Sequence, residues 1–461
     1  MHHRGIWLGV AGAALVAPMV IGIDGLSAAG ERVLGVFLMA IVLWVSEAIP
    51  LYATAAAVIL LQICLVSDQA IVALPAGETA ADYRSFFHAL AHPVLMLFLG
   101  GFFLAAGAAK FRLDRNLARI MLKPFGTSPR AILLGLMVIT AVFSMFMSNT
   151  ATTATMLAVV MPIIVSLDPQ DRLRAALALS IPVAANIGGI GTPVGTPPNA
   201  IAVGSLADAG IAVGFGKWML LAVPIAGLLL VAAWLAMTRM FPTGRAEIRL
   251  DITDRFERSP GAIVFYVVFA VTVLLWLTES LHGIASAVVG FAPVVVLLAT
   301  RVFDHQDLQR IPWHVLWLVA GGIALGIGVT GTGVDVWLVE RIDWSSLASG
   351  LVVAALALAA LAMSTVISNS AAANLLVPIG LALALSDAVE VDPVAAGFFI
   401  AVGASLAMAL PVSTPPNAIA YSTGAVTTGD MAKVGILVGA LGLVLFVVVA
   451  PVLWSAMGVS L

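Results

Sequence analysis

Charge is scarce in this chain of 461 residues: Asp, Glu, Lys and Arg together make up 10%, against about 25% in a soluble domain. Cysteine is scarcer. Cys64 stands alone, which excludes an intramolecular disulfide, and its apolar neighbours mark it as a packing residue. No long acidic or basic run occurs and the net charge is −3, so nothing here would hold a nucleic acid. The histidines are few, and none pairs with another at metal-ligand spacing on a shared helix. His88, His92, His282, His305 and His314 read as structural or solvated. What fills the chain is 62% hydrophobic residues. An all-α polytopic membrane protein follows, with a lipid bilayer as its surroundings.

Against that background the polar interruptions stand out. Ser148-Asn149-Thr150 lies in the uncharged run from Met145 to Ile164, and Ser368-Asn369-Ser370 lies between Ile367 and three alanines. Ser, Asn and Thr start helices with their side-chain oxygens, so each triplet predicts that one helix ends and another begins. Each is followed by Thr-Pro-Pro-Asn-Ala-Ile, at Thr196–Ile201 and Thr414–Ile419. The offsets between copies are 220 (149 to 369) and 218 (199 to 417). A two-part motif repeated at one offset is an internal duplication.

Read in order, apolar crossings fall at about Ile6–Ile23, Val33–Ser46 (short unless it extends into Glu47–Pro50), Leu51–Val66 and Val94–Ala109. The start, Met1–Arg4 before an apolar run, superficially resembles a signal peptide; the crossings that follow at once favour an uncleaved first helix. Lys110, Arg112, Arg115, Arg119, Lys123 and Arg130 alternate with Leu113, Leu117, Ile120 and Leu122, which predicts an amphipathic surface helix. Ala131–Ser166 reads as a re-entrant hairpin around the first triplet. Ala175–Leu206 is interrupted by Gly and Pro from Gly188 to Pro198, a density no continuous helix survives. Met219–Met240 closes the half.

The second half replays this order: Ala262–Leu277, Ile284–Thr300, Trp313–Thr330, a segment Val334–Ile342, a hairpin over Leu347–Leu385, a broken crossing over Ala395–Ser422 and a last span Ile436–Met457. The organisation is a first helix (1–30), a first repeat (31–240), a connector (241–260) carrying Arg245, Arg249, Arg255 and Arg258, and a second repeat (261–461). Five crossings separate the hairpins, so the repeats are inverted. Trp7, Trp44, Trp313, Trp317, Trp337, Trp344 and Trp454 sit near predicted ends, as interfacial anchors do. Basic residues cluster at Lys110–Arg130, Arg239–Arg258 and Arg301–Arg310, which places these segments and the N-terminus in the cytoplasm.

Inverted repeats with broken helices at mid-membrane belong to secondary transporters. Backbone left unpaired at that depth costs several kcal/mol per group unless a ligand, ion or water satisfies it. Carbonyls, hydroxyls and amide oxygens suit a hard monovalent cation, and half-helix N-termini suit an anion. Lys, Arg and His are missing from 131–170, 175–216 and 342–432, and the acidic residues there (Asp168, Asp208, Asp343, Asp387, Glu390, Asp392, Asp430) fall near predicted ends. Proton-coupled carriers hold ionisable groups inside the membrane; these windows offer none. An intramembrane enzyme would need a nucleophile–base pair, and neither Ser148 nor Ser368 has a His, Lys or Asp near it in sequence. A channel would use unwound loops but has no need of two inverted copies. Asn199 and Asn417 fit a capping and a ligand role equally well at this stage. Gly100-Gly101 and Gly321-Gly322 read as close-packing positions.

The doubled triplets and doubled Thr-Pro-Pro-Asn loops resemble those of the divalent-anion:sodium symporter family, the INDY-like dicarboxylate transporters, from about the second crossing to Met457. The resemblance implies a homodimer in the cell's inner (plasma) membrane, each protomer having about eleven spans plus two re-entrant hairpins. Scaffold helices would reach to about residue 128 and from 261 to about 345. A transport domain (about 129–240 and 346–461) would move as an elevator. It implies Na⁺-coupled symport of C4 dicarboxylates such as succinate, malate and fumarate, and at least two Na⁺ sites. The first would use Ser144, Ser148, Asn149 and the Gly195 backbone; the second Ser364, the Ile367 backbone, Asn369 and Ser413. Substrate carboxylates would meet Ser148, Asn149, Thr150, Ser368, Asn369 and Ser370, with Thr196, Pro197, Thr414 and Pro415 lining the pocket. Ser370 departs from the family's usual Thr, keeping the hydroxyl and losing a methyl, which bears on substrate size. The rival carriers are a Na⁺-independent dicarboxylate exchanger and a Na⁺-coupled sulfate or citrate transporter.

Overall fold

A computed structural model describes residues 2–242, 247, 256–341, 348–386 and 389–458. Arg245, Arg249 and Arg255 of the connector, with Asp343, Trp344 and Asp387, lie outside the described residues. Apolar side chains on every face leave these helices no polar stripe to turn to water. Among the described residues ten helices are long and apolar enough to cross a membrane, and Leu51–Val66, Leu173–Gly189, Ser286–Ala299, Asn369–Leu385 and Pro393–Ser405 are shorter apolar helices. The pairing of Ser67 with Ala81 is the one β-bridge among them.

Boundaries move where local chemistry outweighs hydropathy. The second crossing grows backwards, to Ala28–Ser46, because Ser27 accepts a hydrogen bond from Gly30 N (3.0 Å) and Glu47 turns left-handed (φ 47°) to stop it. The surface helix is only Leu113–Leu122, followed by a 3₁₀ turn Lys123–Phe125 and Gly126 at φ 66°. The last span starts at Thr428, capped by Thr427, and passes through a π turn, Leu445–Val449. That turn ends two residues before Pro451, whose missing N–H and ring disturb the α ladder one turn back.

The two halves carry matching hairpins, Pro129–Phe146 with Asn149–Ser166 and Ser349–Val366 with Asn369–Leu385. They also carry matching broken crossings, Leu173–Gly189 with Pro197–Asp208 and Pro393–Ser405 with Pro415–Ser422. Packing is reciprocal. The arm Asn149–Ser166 lies against the half-helix Pro415–Ser422, and the arm Asn369–Leu385 against Pro197–Asp208. Each repeat thus closes on the broken crossing of the other.

Glycine sets the closest approaches. A Cβ on Gly100 would collide with the Gly290 carbonyl, and one on Gly321 with Ala55, so both are packing positions. Two tryptophans expected as interfacial anchors are instead buried. Trp44 Nε1 donates to Leu51 O (3.3 Å) and Trp454 Nε1 to Leu221 O (3.0 Å), because an indole N–H inside a bundle can be satisfied by a facing carbonyl. Trp7, Trp313 and Trp317 are exposed. His92 is structural: Nδ1 accepts from Val94 N (3.2 Å), and Nε2 lies 3.1 Å from Asp208 Oδ1.

Candidate functional site

Both triplets form by the same local logic. The first arm ends at Met147 and Ile367, which are extended (φ −126°, ψ 159° and φ −116°, ψ 177°). Ser148 and Ser368 then cap the second arm, each accepting from the N–H three residues on, Ala151 and Ala371, at 3.2 Å. The asparagine that follows becomes the first residue of the arm. From there its side chain reaches back to a serine on the first arm: Ser144 Oγ is 2.6 Å from the Asn149 amide, and Ser364 Oγ is 2.7 Å from Asn369 Oδ1.

The surroundings of Asn149 are unusual for an amide. The atom that faces Ser144 Oγ also lies 3.2 Å from the carbonyl oxygens of Ala185 and Gly195. Occupied by nitrogen, this position donates to all three oxygens. Occupied by Oδ1, it accepts from the Ser144 hydroxyl but sets oxygen against oxygen with the Ala185 and Gly195 carbonyls, a repulsion that a cation among them relieves. In that second orientation Asn149 Nδ2 faces Asn186 Oδ1 at 3.3 Å. The donor set is neutral and all-oxygen, which fits a hard monovalent cation such as Na⁺. Glycine makes the room: a Cβ on Gly189 would strike the Asn149 amide, and one on Gly195 the Gly189 carbonyl.

The structure therefore brings together Ser144, Asn149 and Gly195 and adds Ala185, whereas the Ser148 hydroxyl is turned to its capping bond. In the second half Ser364 Oγ also donates to Ala404 O at 2.7 Å, a carbonyl of the broken crossing as Ala185 O is in the first half. Ser413 Oγ is one turn away, accepting from Leu410 N (3.2 Å) and donating to Thr365 O (3.1 Å). Thr150 and Pro415 are exposed, Ser148, Ser368, Ser370 and Pro197 half-buried, and Thr196 and Thr414 buried. Thr414 caps its half-helix through Asn417 N (3.3 Å); Thr196 makes no such bond.

Asn199 and Asn417 are staples. Asn199 Nδ2 donates to the carbonyls of Gly189 (3.0 Å), Ile190 (3.2 Å) and Thr192 (2.8 Å), and Asn417 Nδ2 to Met408 (2.8 Å) and Leu410 (3.0 Å). Each amide pays the hydrogen-bond debt of its unwound loop. Thr192 Oγ1 also donates to Met145 O, fastening the first break to its hairpin. Three contributors carry no motif: Ala185, Ala404 and Asn186. Ala185 and Ala404, which accepts from Ser364 Oγ, act through their backbones and give no side-chain signal. Asn186 could have been noticed as a lone amide inside the apolar stretch Ala175–Ile187. No group of three His, Cys, Asp or Glu able to hold a metal occurs among the described residues.

Comparison with known proteins decides the lineage. The family model for the sodium:sulfate symporter transmembrane region matches residues 6–460. The chain belongs to the sodium:sulfate symporter family. It is thus a transporter and not an enzyme. Among relatives in this symporter family, a sodium-dependent dicarboxylate transporter of Staphylococcus saprophyticus is 31% identical, over 92% of this chain and 86% of the relative. Another of the same description from Staphylococcus aureus is 30% identical, over 90% and 85%. In fold the symporter chain is similar to the YdaH transporter of Alcanivorax borkumensis, at a TM-score of 0.54 and 13% identity, covering 88% of this chain and 98% of that one.

Proposed function

We propose that the protein carries C4 dicarboxylates such as succinate into the cell by Na⁺-coupled symport. The observation that carries this reading is the all-oxygen surround of Asn149, with Ser144 Oγ at 2.6 Å and two carbonyls at 3.2 Å, in windows devoid of Lys, Arg and His. A dianion at these tips meets helix N-termini worth only about half a charge each. Cations bound beside it supply the remainder, which makes sodium obligatory.

Ser144, Asn149, Ala185 and Gly195 would hold one Na⁺, with Ser148 beside them. Ser364, Ile367, Asn369, Ala404 and Ser413 would hold another. The substrate carboxylates would meet the triplets, with Thr196, Pro197, Thr414 and Pro415 around them. The hairpins and broken crossings would travel together as an elevator against the remaining helices of a homodimer, with the N-terminus in the cytoplasm. The names of the staphylococcal relatives support the substrate class. The family description makes sulfate the competitor to test, and Ser370 makes citrate another.

The experiment is radiolabelled succinate uptake into proteoliposomes under an inward Na⁺ gradient, compared with K⁺ or choline. Uptake should require Na⁺, be competed weakly by sulfate and citrate, and accelerate when the interior is negative, at about 2.3 kcal/mol per net charge per 100 mV. Robust succinate exchange in choline medium, indifferent to sodium, would replace this reading with an exchanger.

A further inference from the structure

The two halves of the site are joined by a chain of side chains that no motif announces. Asn149 Nδ2 faces Asn186 Oδ1 at 3.3 Å, and Asn186 Nδ2 faces Thr414 Oγ1 at 3.5 Å, across 228 positions of sequence. Asn186 is wholly buried, so water is not at hand to replace either neighbour. Thr414 already accepts from Asn417 N (3.3 Å) at the start of its half-helix.

An amide is a donor at one end and an acceptor at the other, so the orientation of each group in this chain fixes the next. With Asn149 Oδ1 turned to Ser144, Ala185 and Gly195, its Nδ2 donates to Asn186, and Asn186 donates to Thr414. The Thr414 oxygen then accepts on both sides, from Asn186 and from Asn417 N, and its own proton is free for another acceptor. With Asn149 turned over, Nδ2 serves the three oxygens and Oδ1 opposes Asn186. Asn186 must turn as well or face oxygen with oxygen, and its Oδ1 then takes the Thr414 proton. The first orientation is the one a cation requires.

We propose that Asn186 relays occupancy of the cation site at Asn149 to Thr414, freeing the Thr414 hydroxyl to donate to a substrate carboxylate only when the cation is present. Asn186 is a positioning residue: it touches neither ligand and acts through Thr414. The inference rests on the sodium-symport reading and supplies a route by which cation and anion sites sense each other. It is asymmetric. At the offset of 218 that relates the two broken crossings, the counterpart of Asn186 is Ala404, which has no polar side chain, and the neighbouring Ser405 turns its Oγ back to Ala401 O (2.8 Å). No side chain there spans from Asn369 to Thr196 among the described hydrogen bonds, so the coupling runs through one repeat.

The test uses the full-length purified protein. Asn186→Ser shortens the side chain to a hydroxyl that does not span both neighbours, and Asn186→Leu keeps the volume without the polar ends. Two readouts are needed: the shift in melting temperature on replacing choline with Na⁺ without substrate, and the succinate KM in proteoliposomes at several Na⁺ concentrations. The relay predicts that both variants keep the sodium shift, because Ser144, Asn149, Ala185 and Gly195 are untouched. Their succinate KM should rise about tenfold at saturating Na⁺, the scale of one hydrogen bond to a charged group. In a Thr414→Val background Asn186→Ser should add nothing further, since the residue it acts through is gone. A full additive rise in that background, or loss of the sodium shift in both variants, overturns the relay alone. A wild-type protein that sodium does not stabilise overturns the symport reading and the relay with it.

Discussion

Asn199 Nδ2 donates to the Thr192 carbonyl at 2.8 Å, closing the turn that interrupts the first broken crossing. The same amide nitrogen takes the Gly189 and Ile190 carbonyls, and Trp218 Nε1 shares Ile190 O at 3.0 Å. Removing the amide takes a donor from all three: Ile190 O keeps Trp218 and Thr192 O keeps Gly195 N (3.3 Å), while Gly189 O loses its side-chain partner, at about 1–3 kcal/mol. Asn199→Ala should therefore lower the melting temperature in detergent and the transport rate together, and Asn417→Ala should do the same to a smaller degree. A stable but inactive Asn199→Ala protein would show that Asn199 is a ligand and not a staple.

The asparagines of the triplets should behave in the opposite way. Asn149 and Asn369 are half-buried, and the helix starts are already capped by Ser148 and Ser368. Asn149→Ala and Asn369→Ala are each expected to cut sodium-dependent uptake at least a hundredfold while leaving the melting temperature without sodium within a few degrees of wild type. Near-normal uptake by either would reduce that triplet to a helix cap.

How much of this could be read beforehand differs from element to element. The triplets and Thr-Pro-Pro-Asn loops were legible because polar residues in an apolar run have few uses, and capping is the commonest. The reach from Ser144 to Asn149, five residues apart across an extended Met147, needed the hairpin's angle. Boundaries such as Ala28 and Leu122 were set by one cap or one glycine, which hydropathy does not register. Trp44 was misplaced because proximity to a helix end says nothing about which way an indole faces. Asn186 stands out in sequence only as a lone amide in an apolar helix, and its role shows once the partner 228 positions away is seen.

The orientation can be tested by labelling. In a Cys64→Ala background, cysteines replacing Lys123 and Ala76 sit at exposed positions on either side of the helix Pro93–Lys110. The basic cluster predicts that the first reacts only with reagents that enter the cytoplasm and the second only with external ones. Labelling of both from one side would remove that helix as a crossing, and the inverted arrangement with it.

Asp114 provides a test at the membrane surface. It lies on the short helix Leu113–Leu122, is 4% exposed, and accepts from Arg115 N at 2.8 Å, with a side-chain hydrogen bond from Thr155 of the hairpin arm Asn149–Ser166. Burial pushes its carboxyl above the ordinary 3.8, and the bonds from Arg115 and Thr155, with the Arg115 charge, pull back only in part. The sign follows from linkage. A carboxyl raised in the folded state binds its proton more tightly there than in the unfolded chain, so its contribution is most favourable below the unfolded value. That contribution declines as pH rises through the raised one. At neutral pH the ionised group is therefore a cost. Asp114→Asn keeps the shape, with Oδ1 still able to accept from Arg115 N and Nδ2 facing the Thr155 hydroxyl. The variant should melt a few degrees above wild type at pH 7, and the gap should close as the pH is lowered towards 4. A variant that melts lower at pH 7 would mean that the carboxylate is held by a basic partner, and that the joint between surface helix and hairpin is an ion pair.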